Sequence, residues 1–205
     1  MTLRNPVRTY ISAFWAGVLN KSTAATARTA LGLTTPITHE NGGLEADVSA
    51  YDGIPRITSG ATTALPYSVG TWTPTLGVLS GTDGTHTYST QSGLYLRIGD
   101  LVYVSAVVIL TAKDVSMSGS LAIKTLPFTA MSGSGGPGNQ SILNIAQAGA
   151  INLSAGYSMI TARASPNSTL ILIEENGDDV APQALTAAAI GNSSRISCSG
   201  IYRAV

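Results

Sequence analysis

The chain has 205 residues, and only 11% of them are charged, well below the roughly 25% usual in soluble domains. Eleven basic residues balance eleven acidic ones, so no overall field would attract nucleic acid or anionic lipid. The hydrophobic fraction of 44% is too high for a disordered chain. Few charges beside so much apolar content predict that subunit contacts hide part of the surface, and we expect an obligate oligomer.

Cysteine content and the length of the apolar runs further limit the class of protein that the sequence can encode. A single cysteine, Cys198, excludes an intrachain disulfide, and its alternating neighbours predict a buried structural thiol. The longest apolar run has about ten residues, too short to span a bilayer. The N-terminus resembles a signal peptide in having basic residues before an apolar stretch. Because its apolar residues are periodic rather than continuous, secretion is the less favoured interpretation.

Two helices are predicted at the N-terminus. Asn5-Pro6 is typical of a helix cap followed by proline at the first helical position, and an amphipathic stripe follows. Its members include Tyr10, Phe14, Trp15 and Val18. Aromatic residues on so short a helix need a partner surface: the chain's own body, a helical bundle shared between subunits, or a larger assembly. A second helix is predicted with Ser22 as its cap and Gly32 as its stop.

Periodicity fades between Leu33 and Val69, although scattered apolar residues remain. This stretch is too hydrophobic for a free linker and too irregular for a domain. We predict an extended connector that is ordered by lying against neighbouring chains.

From Gly70 onward the pattern is all β, with a long hairpin at its centre. Leu94, Leu96 and Ile98 alternate with polar positions, and Gly99-Asp100 supplies a two-residue turn. The return strand over 101–110 is apolar on both faces, so both faces need cover. A second sheet can cover one face and a neighbouring subunit the other. With about eight to ten short strands at regular spacing, the pattern predicts an antiparallel, jelly-roll-like β-sandwich.

A second hairpin is predicted to turn on Asn176-Gly177, with an acidic cluster around it. The cluster consists of Glu174, Glu175, Asp178 and Asp179. Carboxylates so close together can hold Ca²⁺ or act as the acid pair of a glycosidase. We favour a solvated hairpin tip, because a tip offers no cleft that shifts a pKa or excludes water.

Signals for catalysis and for metal binding are weak along the whole chain. There is no HExxH, GxSxG or P-loop motif. His39 and His86 are far apart, and no cysteine pair accompanies them, so a zinc site is not expected. The sequence predicts a protein that is not an enzyme and that carries no metal or cofactor.

Several stretches carry a resemblance to the bacteriophage tail fibre and receptor-binding protein family. TAATARTALGL at 23–33 is similar to the Ala-rich segment near fibre shafts, and NGGLEADVSAYDG at 41–53 resembles a connector of such proteins. The C-terminal β-domain of the family is resembled by GTWTP at 70–74, YSTQSGLYLRIGDLVYV at 88–104, LPF at 126–128 and SGIYRA at 199–204. The chain lacks the long repetitive shaft of large fibres, so it resembles a short trimeric fibre.

The resemblance implies a homotrimeric virion protein, made in the cytoplasm of the bacterial host, that attaches the particle to the host surface. Residues 1–35 would anchor it to other tail or baseplate proteins, and residues 70–205 would form the receptor-binding sandwich. Residues 36–69 would connect these two parts as an extended stalk. The implied partner is a host polysaccharide or protein, without nucleic acid or membrane insertion. Alternatives are a structural baseplate or head-fibre component, a glycan-degrading tailspike and a secreted bacterial adhesin.

Receptor contacts are expected on loops at one end of the sandwich. The candidates are Asp114, Asn139, Tyr157, Glu175, Asn176 and Asp178. The candidates for virion attachment are Tyr10, Phe14, Trp15 and Val18 on the first predicted helix.

Overall fold

The structure is a computed structural model that describes residues 15–18, 20, 23–31, 53–58, 61–132 and 141–205. The chain divides into two compact units, Met1–Leu65 and Pro66–Val205. The candidates Tyr10, Phe14 and Asn139 lie outside the described residues, as does the predicted cap Ser22.

The first unit contains helical turns and one small hairpin. Residues 15–18 are helical, and helix α1 spans Ala24–Ala30. Thr23 caps α1, since its Oγ1 accepts a hydrogen bond from the Thr26 N–H at 3.2 Å. Strands β1 (Ile54–Thr58) and β2 (Ala61–Leu65) pair antiparallel within the stretch predicted to be a connector. No helix in the described ranges is long and apolar enough to cross a membrane.

The second unit is an antiparallel β-domain, which confirms the predicted mainly β fold. Its strands are β3 (Tyr67–Trp72), β4 (Thr75–Thr82), β5 (Thr87–Ile98), β6 (Leu101–Ala112), β7 (Ser118–Lys124), β8 (Ile142–Ile151), β9 (Met159–Ala164), β10 (Ile171–Gly177), β11 (Val180–Ala184) and β12 (Ile190–Arg203). A 3₁₀ turn over Ala187–Ala189 precedes β12. The strands pair in the order β3-β5-β6-β12-β8-β9-β10-β7-β4, and β11 pairs with β10.

The sheet curls so that its two halves enclose one core. The inward side chains of β6, from Val102 to Leu110, belong to the same buried cluster as Leu121 and Ile123 of β7 and Ile171 of β10. The halves meet where β8 and β9 pair at Ile142–Arg163 and Leu143–Ala162. Beyond Leu143 the two strands diverge. Cys198 is buried in the core as predicted, and its burial raises the pKa of the thiol to about 12.

The predicted central hairpin is confirmed in register and turn. Ile98 pairs with Leu101, and Gly99 takes a φ of 62°, which glycine adopts without strain. One face of β6 is buried, whereas Leu101 and Tyr103 on the other face are exposed. That exposed side of β3, β5, β6, β12 and β8 is called the outer face below.

The predicted turn of the second hairpin is wrong. Gly177 pairs with Val180, so the turn is Asp178-Asp179 rather than Asn176-Gly177, and Asp179 has a φ of 58°. Gly177 serves packing instead, because a Cβ there would lie 2.9 Å from the carbonyl carbon of Gly156 and 2.8 Å from Val180 Cγ2. The glycine that indicated a turn is explained by this close approach of two backbones.

The strand directions divide the loops of the β-domain into two sets. The near end is where the chain enters the domain, with the Pro66 carbonyl bonded to the Gly99 N–H at 2.7 Å. The turn 99–100 and the segments 125–131 and 165–170 lie at this end. The far end carries the loops 83–86, 113–117, 152–158, 178–179 and 185–194.

Candidate binding surface at the far end

Asp114 ties two far-end loops together. Its Oδ2 accepts a hydrogen bond from the Thr85 N–H at 2.7 Å, and its Oδ1 accepts from the Ser116 N–H and hydroxyl, both at 2.8 Å. Because these donors stabilise the ionised form, led by the Thr85 N–H, the pKa of Asp114 falls to about 2. The Asp114 N–H also donates to His86 Nδ1 at 3.1 Å. The carboxylate therefore fixes loop 113–117 against loop 83–86.

Replacing Asp114 by alanine is expected to lower the melting temperature at neutral pH. The folded pKa is about 2, below the unfolded value of about 3.9. This stabilisation is therefore fully present above about pH 5 and disappears as the pH falls to about 2. We predict that the difference in Tm between the wild type and Asp114→Ala narrows over that range. A difference that stays constant with pH would contradict the role given to the ionised carboxylate.

Lys113 joins the same loop to the segment before β12. Its ammonium donates to the carbonyl oxygens of Ala187 and Ile190, the latter at 3.2 Å. Its backbone N–H donates to Asn192 Oδ1 at 2.9 Å. A charged donor bonded to backbone carbonyls is a strong contact. Loop 113–117 and segment 185–194 are therefore held as one unit.

Glu175 performs the matching role for loop 152–158. It is only 1% exposed, and its carboxylate accepts from the Ser154 N–H at 2.9 Å and from Gln183 Nε2 at 2.6 Å. Burial acts to raise the pKa of Glu175, but the hydrogen bonds from Ser154 and Gln183 outweigh it and lower the pKa. The side chain faces the interior of the loop cluster and is not a solvated group of a hairpin tip.

Further contacts pack loop 152–158 against the β10–β11 hairpin. The Ser158 N–H donates to the Asn176 carbonyl at 2.9 Å. Tyr157 is half-buried, and its hydroxyl donates to the Ala181 carbonyl at 3.0 Å. The Asn176 side chain donates to Thr161 Oγ1 at 2.6 Å. These bonds, with the close approach of Gly156 and Gly177, make the loop and the hairpin a single rigid element.

The two groups of loops are also joined to each other. The Asn152 N–H donates to the Ala189 carbonyl at 2.8 Å, which connects loop 152–158 with the segment held by Lys113. Hydrogen bonds therefore run without a break from loop 83–86 to the β10–β11 hairpin. A connected network of this kind fixes the mutual positions of loops that are distant in sequence.

Several side chains remain exposed on this rigid end. Val115 is 98% exposed at the tip of loop 113–117. Beside it lies an open cleft of about 510 Å³, lined by Lys113, Val115, Met117, 118–120 and 186–188 together with Ser80. Asp178 and Asp179 are exposed at the adjoining hairpin turn. A rigid end with an exposed apolar tip and an open cleft of mixed polar and apolar lining is suited to binding another molecule.

The structure brings most of the predicted receptor candidates to this one end. Asp114, Tyr157, Glu175, Asn176 and Asp178 all lie on far-end loops or on the hairpin beside them. Asp114, Glu175 and Asn176 direct their side chains into bonds that hold the loops, whereas Asp178 stays exposed. Val115 was missed by the sequence analysis, and its only signal is an apolar residue inside a polar loop.

The described residues contain no group of three side chains placed to hold a metal ion. Glu174 and Glu175 are consecutive in β10, so they project from opposite faces of the strand. Glu174 forms an ion pair with Arg163 at 3.0 Å. The two acids thus do not face each other across a cleft.

Comparison with known proteins gives a likeness to a solved structure. No family model matches the sequence, and no curated protein matches it. Among solved structures, the crystal structure of Dettilon tailspike protein is similar, with a TM-score of 0.53 and 21% identity. The chain shares its fold with part of a phage tailspike protein. The match covers 67% of this chain and 24% of that one, so the matched part of this chain spans about a quarter of the length of the tailspike.

Proposed function

We propose that the chain is a virion protein of a bacteriophage tail that attaches the particle to the host surface. The observation that carries the proposal is the far end of the β-domain, where five loops are locked into one rigid surface. This surface lies opposite the end at which the chain enters the domain, as is expected of a receptor-binding tip. The fold shared with part of a tailspike protein supports the same class of function.

A homotrimer is part of the proposal, and the outer face supports it. Apolar side chains from four neighbouring strands form one exposed patch there: Tyr67, Val69, Leu94, Ile98, Leu101, Tyr103 and Ile201. Contiguous apolar patches of this kind mark interaction surfaces. In a ring of three copies, each patch is covered by a neighbouring copy. The low charge content agrees with this arrangement.

We also propose that the N-terminal segment attaches the protein to the tail. Trp15 is 50% exposed and Val18 is buried, and Tyr10 and Phe14 complete the predicted stripe. The hairpin β1–β2 fits a connector that neighbouring chains cover, because every residue of β1 is exposed and an isolated two-stranded hairpin is marginally stable in water.

Val115→Asp tests attachment at the far end. The side chain is 98% exposed, so folding is expected to be unchanged. Aspartate at the tip is expected to weaken binding to host cells at least about ten-fold if Val115 is an anchor of the contact. Thr129→Asp, at an exposed position of the near end, is the matched control and is expected to bind normally. Equal binding by wild type and Val115→Asp would contradict the assignment of the far end.

A glycan-degrading tailspike is the second candidate, favoured by the fold shared with a tailspike protein. Against it, Glu174 is paired with Arg163 and Glu175 is buried in hydrogen bonds. Incubation of the intact protein with host polysaccharide separates the two functions. We expect binding without release of fragments, and catalytic release of oligosaccharides would favour the tailspike. A protein that does neither would be a structural component of the particle.

A further inference from the structure

The outer face carries one cation that lacks an acid partner. The β-domain contains six basic residues, and five of them are accounted for by bonds within the domain. Lys124, Arg163 and Arg203 pair with Asp83, Glu174 and Asp100. Lys113 and Arg97 donate to backbone carbonyls. Arg195 is in none of the ion pairs among the described residues, and its Nε has no hydrogen-bond partner.

The surroundings of Arg195 make this lack costly. It lies on β12 between Ile109 of β6 and Gly149 of β8, and its Nε is buried without a hydrogen-bond partner. Ser197 lies two residues along the same face and is 9% exposed. Its hydroxyl is also buried and unpartnered. Leaving buried donors unsatisfied costs free energy, more so for a charged group.

These side chains form an incomplete site for a carboxylate. The guanidinium supplies donors in the planar arrangement that matches two carboxylate oxygens. The Ser197 hydroxyl adds a donor, and Gln147 of β8, paired with Ser197, offers its amide on the same face. Ile109 and Val107 of β6 are the cross-strand neighbours of Arg195 and Ser197. An apolar floor strengthens an ion pair by lowering the local dielectric constant.

Two carboxylates in the described part of the β-domain also lack a partner. Of its seven acidic residues, Asp83, Asp100 and Glu174 are in ion pairs, and Asp114 and Glu175 hold loops. Asp178 and Asp179 are exposed and make no ion pair among the described residues. They lie at the far end, and Arg195 lies in the half of β12 nearest that end. Rotation of one copy onto another about an axis parallel to the strands leaves the position of each residue along that axis unchanged. The turn of one copy and Arg195 of its neighbour therefore stay near the same end of the assembly.

We propose that Arg195 and Ser197 bind the Asp178-Asp179 turn of a second copy of this chain. In a ring of three copies, the Asp178-Asp179 turn of each copy then binds Arg195 of one neighbour, and its own Arg195 binds the turn of the other neighbour. This inference rests on the trimer proposed above, and it names the contact that fixes the angular position of the subunits. Charge pairs across interfaces select register and partner in this way.

Charge reversal in the full-length protein tests the proposal. Arg195→Glu and the double variant Asp178→Lys with Asp179→Lys are each expected to raise the dissociation constant of the trimer at least about ten-fold, judged from coupling energies of close interfacial charge pairs. Combining the three substitutions is expected to recover most of the lost affinity. Dilution series in the analytical ultracentrifuge measure the constants, and circular dichroism checks folding. Arg195→Gln replaces Arg195→Glu if that variant does not fold.

A matched control separates a specific contact from a change in net charge. Arg195→Glu combined with Thr129→Lys adds a positive charge at the near end and is expected to give no recovery. If Arg195→Glu leaves the dissociation constant of the trimer unchanged, the proposed ion pair is wrong, although the trimer itself is not contradicted. The same holds if the combined variant dissociates as readily as the single variants. A monomeric wild type overturns both. An intact Arg195→Glu trimer that loses binding to acidic polysaccharide assigns the site to a host glycan, which also overturns the proposal.

Discussion

Replacing Tyr103 and Ile201 together by lysine is expected to convert the proposed trimer into folded monomers. The two residues are cross-strand partners on β6 and β12, and they are 43% and 50% exposed in the single chain. Each fully buried side chain of this size contributes about 1.5–3 kcal/mol, and burying two lysines adds a desolvation penalty. Because each of the three interfaces loses these contacts, the dissociation constant is expected to rise at least about a hundred-fold.

Leu79→Lys is the matched control for that experiment. Leu79 is an equally exposed apolar residue, but it lies on β4, in the other half of the sheet. The Leu79→Lys substitution is expected to leave the proposed trimer intact. Sedimentation gives the mass of each variant, and thermal unfolding shows whether the monomer is folded. A trimer that survives both lysines would place the subunit interface elsewhere, even if the protein is trimeric.

Gly177→Ala is expected to destabilise the β-domain and to weaken attachment at the same time. The added methyl group would meet the backbone of Gly156, which cannot rotate away as a side chain can. Overpacking of this kind costs about 1–3 kcal/mol, which in a chain of this size lowers Tm by roughly 2–12 °C. Relief of the clash moves loop 152–158 away from β10, which disturbs the far-end surface.

Gly191→Ala provides the comparison, since a Cβ at that position meets no atom within 4 Å. It is expected to keep the wild-type Tm and wild-type binding to host cells, because the backbone there needs no movement. Calorimetry and cell binding are measured on both variants. Equal stability of the two alanine variants would contradict the close packing of Gly156 on Gly177.

The role of charged residues could not be predicted from the sequence. The sequence predicts Asp114 and Glu175 as receptor contacts because it places them on or beside turns, and loops carry function. Their carboxylates instead accept hydrogen bonds from Thr85 and Ser154, which are 29 and 21 residues away in the chain. Which backbone N–H groups meet a carboxylate depends on how distant loops come together, and no local pattern reports that.

The sequence by itself determined the β-rich fold, the register of the central hairpin and the burial of Cys198. These follow from alternation of side chains along a strand and from a glycine turn, which act over a few neighbouring residues. The tertiary structure alone decided that Gly177 packs rather than turns, that the far-end loops form one surface, and that Arg195 is left without a partner. Each of these depends on long-range strand pairing, which brings together residues whose separation in the chain says nothing about their contact.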